Sequence, residues 1–387
     1  MKTHLGILFC CLLSPAALAQ PGPVVRHLRG AGIPAGALTS RLTRLVDSAR
    51  IAGLSVLVLD NGRVAYEQYF GTKDRQTGQP PDRETISYAA SLTKPLAAYL
   101  FLRLVDQGVL ALDTPVHRYL RQPIGTYPKW QDLAQDPAFG RITARMLLSH
   151  SSGLPILRGF YGEKLATIAP PGSRFFYSNE GFNLLGFVME QQTGLDLQVL
   201  AQREVFGPLG MAHTSLVWQP RFAANRAVGH DFAGNVLGAQ QRSSPRAAGS
   251  MVTTPTDYAA FLRQVLAGKG LSRKAYREYL RPQIAVTSQR GWGPRRDSLA
   301  RQPHPQALAW GLGWSLFNSK YGPAFSHGGH ADGWQNLCLN YPRKKLSIIL
   351  LSNSDNFEPV ADRILRLCLG DADAPLEWAG LLDAPAR

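Results

Sequence analysis

Short strand-type runs of apolar residues gather at the two ends of the chain, and helical spacing dominates between them. Leu42 to Ala52 has the three- and four-residue spacing of an amphipathic helix, and Leu54 to Leu59 follows as a strand-type run. Asp60-Asn61-Gly62 is a hairpin turn, and Val64 to Phe70 returns as a second strand. Four further strand-type runs come late: Trp314 to Phe317, Ala324 to His327, Trp334 to Tyr341 and Leu346 to Leu351. Pro342-Arg343-Lys344-Lys345 links the last two, and Val360 to Leu369 has the spacing of a helix that covers the sheet. In between, an apolar face runs from Lys94 until Gly108 stops it. Shorter helices are expected at Thr143 to Leu148, at Asn183 to Thr193 ended by Gly194, and at Pro255 to Leu266 with Thr254 as cap. The pattern predicts an α/β fold with one antiparallel sheet built from both termini and flanked by helices. The sheet part is expected at about residues 42–90 and 307–387, and an inserted all-helical region at about 91–306.

Two segments precede this domain. Residues 1–19 have a basic start at Lys2, an apolar run from Leu5 to Leu13 and a small-x-small site at Ala17-Leu18-Ala19, the layout of a secretory signal peptide. Residues 20–41 are rich in Pro, Gly and Ala and read as an extended leader. No later apolar run reaches the roughly 18 residues of a spanning helix, so an exported protein, periplasmic or secreted, with no integral span is expected. At 387 residues, 45% hydrophobic and 18% charged, the chain has the composition of a globular protein with a large core. Its formal charge of +15 becomes +14 when Lys2 leaves with the signal (15 − 1), which favours contact with anionic envelope polymers. No basic block is interleaved with aromatics as nucleic-acid binding would require. Cys338 and Cys368 remain after processing; an oxidising compartment permits a disulfide between them, and a pair of buried thiols is equally consistent. There is no zinc pattern, because His327 and His330 lack further ligands nearby.

The candidate chemistry starts at Ser91-Leu92-Thr93-Lys94-Pro95, the sole Ser-x-x-Lys in the chain, at the mouth of the long apolar helix. A serine hydroxyl needs a base within hydrogen-bond reach, and three residues along a helix bring Lys94 onto the face of Ser91. Acyl transfer also needs a second proton-handling group, a group that positions the carbonyl, and an oxyanion hole. Tyr177-Ser178-Asn179, on a loop before a helix, offers a phenol and an amide. A tyrosine facing a lysine can share its proton, because both groups titrate near about pH 10 in isolation. Ser326-His327-Gly328-Gly329-His330 ends a predicted strand, where paired glycines let a substrate backbone run beside an edge. Each motif alone has an ordinary explanation as cap, core residue or turn. Their order, one at each predicted junction, does not.

With these motifs in place the chain resembles the serine hydrolases related to class C β-lactamases and the penicillin-binding D,D-carboxypeptidases. Gly108 to Asp113, Ile142-Thr143, Leu147 to Pro155, Phe206 to Met211 and Ala248 to Asp257 look like the connecting segments of that family. The resemblance runs from about Leu42 to Ser354. It implies a β-lactamase/transpeptidase-like fold with the site between a sheet part and a helical part. It also implies Ser91 as acylated nucleophile, Lys94 and Tyr177 as the proton-transfer pair, and Asn179 as positioning residue. His327-Gly328-Gly329 stands in place of the third motif, and the backbone N–H groups of Ser91 and His330 form the oxyanion hole. No metal or organic cofactor is implied.

The departure lies in that third motif. β-Lactamases of this class have Lys-Thr-Gly there, with the lysine holding an anionic substrate carboxylate, whereas His327 is mostly neutral near pH 7 and Gly328 has no hydroxyl. The expected activity is therefore that of an esterase, or of a D-amino-acid peptidase or carboxypeptidase, acting on a small molecule or a cell-wall-derived peptide. A true β-lactamase is one alternative. A silent envelope- or peptidoglycan-binding module is another, although the nucleophile, lysine and tyrosine are all present.

Overall fold

The computed structural model describes residues 23–291, 293 and 295–382; the predicted signal peptide, with Cys10 and Cys11, lies outside them. In chain order the structure opens with β1 (Val24–Arg26), β2 (Gly32–Pro34) and α1 (Ala35–Ser48), followed by β3 (Gly53–Asp60), β4 (Arg63–Gly71) and β5 (Ser87–Tyr88). The middle of the chain supplies α2 (Thr93–Asp106), α3 (Ala144–Leu148), α4 (Asn179–Thr193), α5 (Leu197–Ala201), β6 (Gly229–His230), β7 (Val236–Gly238), β8 (Val252–Thr253), α6 (Pro255–Leu266) and α7 (Arg273–Tyr279). The last part holds β9 (Ile284–Ala285), β10 (Ala309–Trp310), β11 (Ser315–Ser319), β12 (Gly322–Ala331), β13 (Trp334–Tyr341), β14 (Leu346–Ser352), α8 (Ala361–Leu369) and α9 (Leu376–Ala379).

Eight strands form one antiparallel sheet in the order β4-β3-β14-β13-β12-β11-β10-β9, so the first hairpin is stitched to the late strands through β3 and β14. The sheet is covered on both faces. Strand alternation sends Leu54, Val56 and Val58 of β3 toward α1 and α8, and Leu57 and Leu59 toward α2 and α6. Helix α8 buries Ala361, Ile364, Leu365, Cys368 and Leu369, the i, i+3, i+4, i+7, i+8 stripe of a helix lying on a sheet. Helix α2 is buried nearly all round, which is why it reads as strongly apolar: it runs through the core between the sheet and the other helices. Among the described residues no helix is long and apolar enough to cross a membrane.

Several expectations shift. The segment expected as an extended leader folds back as the β1–β2 hairpin, with Val25, Leu28 and Ile33 buried beside α8, and α1 starts at Ala35, seven residues before the predicted onset. The ion pair of Arg26 with Asp60 (2.6 Å) and the bond from Leu28 N–H to the Leu369 carbonyl (2.9 Å) hold it there. The region expected to be all-helical holds helices joined by long loops and also short strands: β6 and β7 pair with each other, β8 pairs with β5, and β9 joins the edge of the main sheet. Cys338 in β13 and Cys368 in α8 are buried free thiols.

Candidate active site

Ser91 sits in a single 3₁₀ turn, Ala90–Leu92, directly before α2. The turn is sharp: Ala90 adopts φ +47°, a left-handed conformation costly for a residue with a Cβ. It is held by hydrogen bonds from Thr93 Oγ1 to the Ala90 carbonyl (2.6 Å) and from Met251 N–H to Thr93 Oγ1 (3.1 Å). One helical turn on, Lys94 is fully buried. Its Nζ lies 3.0 Å from Ser91 Oγ, 2.7 Å from Asn179 Oδ1 and 2.6 Å from the Ala248 carbonyl. Two of these neighbours only accept. A neutral amine with two N–H bonds and one lone pair therefore fits the site atom for atom, with the lone pair facing the Ser91 hydroxyl. Burial pulls the Lys94 pKa well below its ordinary value and favours that neutral form.

Tyr177 meets this group in two ways. Its phenol has Ser91 as a polar neighbour, and Lys94 Nζ lies 4.7 Å from its ring centroid, over the aromatic face. Burial raises the Tyr177 pKa, so the group is a neutral phenol at ordinary pH. Burial thus shifts the two groups apart, Lys94 toward the free amine and Tyr177 toward the protonated phenol. Ser178 caps α4 by accepting from Gly181 N–H (2.8 Å), which starts that helix at Asn179, four residues earlier than the apolar spacing suggests. Asn179 is therefore the first helical residue, where its side chain reaches Lys94.

The third motif differs more from expectation. His327–His330 does not end a strand but lies inside β12, which continues to Ala331. Nor is β12 at the edge of the sheet. However, its pairing with β11 stops at Ser315 opposite Ser326, while its pairing with β13 runs on to Ala331 opposite Trp334. From His327 onward one side of the strand is a local edge. A Cβ on Gly329 would lie 2.4 Å from the Ala89 carbonyl oxygen, so this glycine lets β12 pass against the Ser91 turn. A Cβ on Gly328 would meet nothing nearer than 3.7 Å. His330 Nδ1 is 3.0 Å from Glu358 Oε1; burial pulls the His330 pKa down, but the Glu358 bond and the Glu358, Asp355 and Asp332 charges outweigh it and raise it.

His327 is buried, with its Nδ1 2.6 Å from the Gly328 carbonyl and its ring beside Trp310 (centroids 5.6 Å apart). Burial pushes its pKa down to about 3. Among the described residues, no lysine or arginine lines the cleft that holds Ser91, Tyr177, Asn179 and His327–His330.

Three participants carry no sequence signal that singles them out. His150, at φ +56°, accepts from Ser178 N–H (3.0 Å) and stacks on Tyr177 with centroids 4.2 Å apart, so it sets the Tyr177–Asn179 loop. Asn336 donates to the Tyr88 and Gly329 carbonyls (3.1 and 3.3 Å) and ties β12 to β5. Ala248 contributes only a backbone carbonyl. The loop at 283–305 contributes Gly291 to the cleft, and the loop at 154–174 reaches it through Tyr161 and Asp297.

Comparison with known proteins shows the family of the chain. The Beta-lactamase family model matches residues 38–370. The chain is similar to Esterase EstB of Burkholderia gladioli, 32% identical over 48% of this chain and 53% of that protein. It is also similar to Penicillin-binding protein 4* of Bacillus subtilis (strain 168), 24% identical over 81% of this chain and 70% of that protein. The first of these alignments thus spans only about half of the relative's length. In structure it is similar to the octameric penicillin-binding protein homologue from Pyrococcus abyssi, with TM-score 0.70 and 22% identity over 88% of this chain and 78% of the other. The chain belongs to the beta-lactamase family.

Proposed function

From that membership we propose an exported serine hydrolase that cleaves esters of uncharged carboxylic acids through a Ser91 acyl-enzyme. The observation that carries the choice of acyl group is the recognition wall: His327 is buried and neutral where an anionic substrate would need a cation, and among the described residues no lysine or arginine lines the cleft. An unpaired carboxylate entering such a site would lose hydration without a partner. The name of the esterase relative supports the same direction.

Neutral Lys94 takes the Ser91 proton as Oγ attacks the carbonyl carbon, which becomes tetrahedral with an oxyanion held by the N–H groups of Ser91 and His330. The Tyr177 phenol, which lines the cleft beside Ser91, donates to the leaving alkoxide as the C–O bond breaks, and recovers its proton from the Lys94 ammonium. Asn179 holds Lys94 in place throughout. Water then enters as the second nucleophile, the same groups move its proton, and the acid leaves with Ser91 restored.

Treating the purified protein with a fluorophosphonate is expected to label Ser91, and labelling at another serine overturns the assignment. In a panel of a short-chain aryl ester, a D-alanyl-D-alanine peptide, a D-amino-acid amide and a chromogenic cephalosporin, the ester should turn over fastest. A faster peptide or cephalosporin refutes the uncharged-acyl reading. Stoichiometric binding of peptidoglycan fragments without turnover of any substrate would instead indicate a silent binding module. Export is tested by the N-terminus of the protein recovered outside the inner membrane, expected to begin at Gln20.

A further inference from the structure

We infer that the segment Ala374–Leu381, after α8, forms one wall of an acyl-binding cavity and selects a small, uncharged, apolar acyl group; this rests on the hydrolase reading above. The family model ends at residue 370, so this wall lies beyond the part of the chain that the family has in common.

Three large apolar side chains near the end of the described chain, Leu376, Trp378 and Leu381, are 5, 9 and 5% exposed. They face a cavity of about 240 Å³ whose lining also includes Ser91 and Trp310. Leu337 and Leu339 of β13 line it too. Strand alternation puts these two on the α8 face of the sheet, so the cavity leads from the nucleophile to that face. Its volume is below the roughly 300–1,000 Å³ of pockets that take drug-sized ligands, which suits a short chain or a single ring.

The wall is docked by specific bonds. Gly291 N–H donates to the Trp378 carbonyl (2.8 Å), Trp378 Nε1 donates to Ser288 Oγ (3.3 Å), and Asp373 accepts from Lys320 N–H (2.6 Å) and Gln306 Nε2 (3.0 Å). Gly291 has no side chain where the indole lies: a Cβ there would be 2.8 Å from the Trp378 ring. The absent methyl makes room for the indole, which stands 6.5 Å from Trp310, and Trp310 in turn packs on His327 and Tyr177.

The test compares p-nitrophenyl hexanoate with p-nitrophenyl acetate. In Trp378→Ala the ratio of their kcat/KM values is expected to fall at least tenfold. In Gly291→Ala, which pushes on the indole from the other side, it should fall about threefold or more. A ratio unchanged in both variants of an active, folded enzyme overturns the inference. The second readout needs no chemistry: hexananilide binding in a Ser91→Ala background, expected to weaken about tenfold on adding Trp378→Ala. Equal affinities overturn the wall. If the wild-type enzyme turns over no ester yet the anilide affinity falls as expected, the wall stands and the hydrolase reading fails.

Discussion

The two sides of the cleft follow opposite plans. On the helical side the group beside Ser91 is densely bonded: Lys94 Nζ has three partners, and in the loop behind it Ser178 both accepts and donates and His150 Nδ1 takes a backbone N–H, leaving only His150 Nε2 without a partner among the described residues. On the strand side His330 is paired with Glu358 and Asn336 is bonded to two carbonyls, but two ring nitrogens are left unmatched. His327 Nε2 and Trp310 Nε1 are buried without a protein partner among the described residues, and apolar surface continues from them to the C-terminal wall. Saturated polar contacts over-determine the proton-handling group, because each orphaned atom there would cost about 1–3 kcal/mol. An apolar wall is matched by volume instead and can change without disturbing the chemistry. The contrast separates how this protein reacts from what it accepts.

The contrast is broken most severely on the helical side. Ser91→Ala is expected to abolish fluorophosphonate labelling and lower ester kcat by about 10⁴-fold or more. Lys94→Ala should lower the acylation rate by about 10²–10⁴-fold, with stopped-flow burst kinetics as the check. Because the base is the free amine, wild-type activity should fall as pH drops through the Lys94 pKa, which lies below 10.5, and that limb should vanish in the variant.

On the strand side the largest effect is steric. Gly329→Ala puts a methyl against the Ala89 carbonyl and separates β12 from the Ser91 turn, so kcat should fall about 10²-fold. Gly328→Ala, with open space before it, is expected to keep the wild-type melting temperature. His327→Lys sharpens the comparison: it should raise the cephalosporin-to-ester ratio of kcat/KM by about tenfold while lowering the melting temperature, since a lysine buried there carries a desolvation penalty.

The smallest expected effect is on stability. His150 and His327 are held neutral by burial, with folded pKa values below the ordinary 6.5. Above 6.5 both are neutral whether folded or not. Below it the unfolded chain takes up protons first, so stability is lost progressively as pH falls from 6.5 toward the folded value of about 3. Melting curves between pH 7 and 4 should show a decline that is reduced in His327→Gln.

Local features of the sequence mark the hairpin at Asp60-Asn61-Gly62, the caps at Thr254 and Gly194, and the three motifs, because turn chemistry and periodicity act over a few residues. What it does not mark depends on distance. Lys94 finds Ala248 across 154 residues through a backbone carbonyl, a group every residue has. His150 reads as part of a helix-ending turn until Tyr177 is stacked on it. The continuation of β12 to Ala331 is hidden because His327-Gly328-Gly329 has neither the β-branched residues nor the alternation of a strand, and depends on β13 for its register. The Pro-, Gly- and Ala-rich start reads as a leader because its buried residues, Val25, Leu28, Ile33 and Leu38, are too few to show a period.

The stitching of β3 to β14 bears on the order of events during folding. Ser55 pairs with Leu351, so the strand at the centre of the early hairpin waits for a partner made nearly 300 residues later. Closing so long a loop precedes any reward from the contacts it creates, which places this sheet among slow, non-local topologies. The helices around Ser91 can gather early from nearby segments, but the strand that completes the oxyanion hole arrives with the last part of the chain. A nascent copy would therefore hold Ser91 and Lys94 without the β12 strand beside them, and the proposed hydrolytic competence would begin only when synthesis is nearly complete.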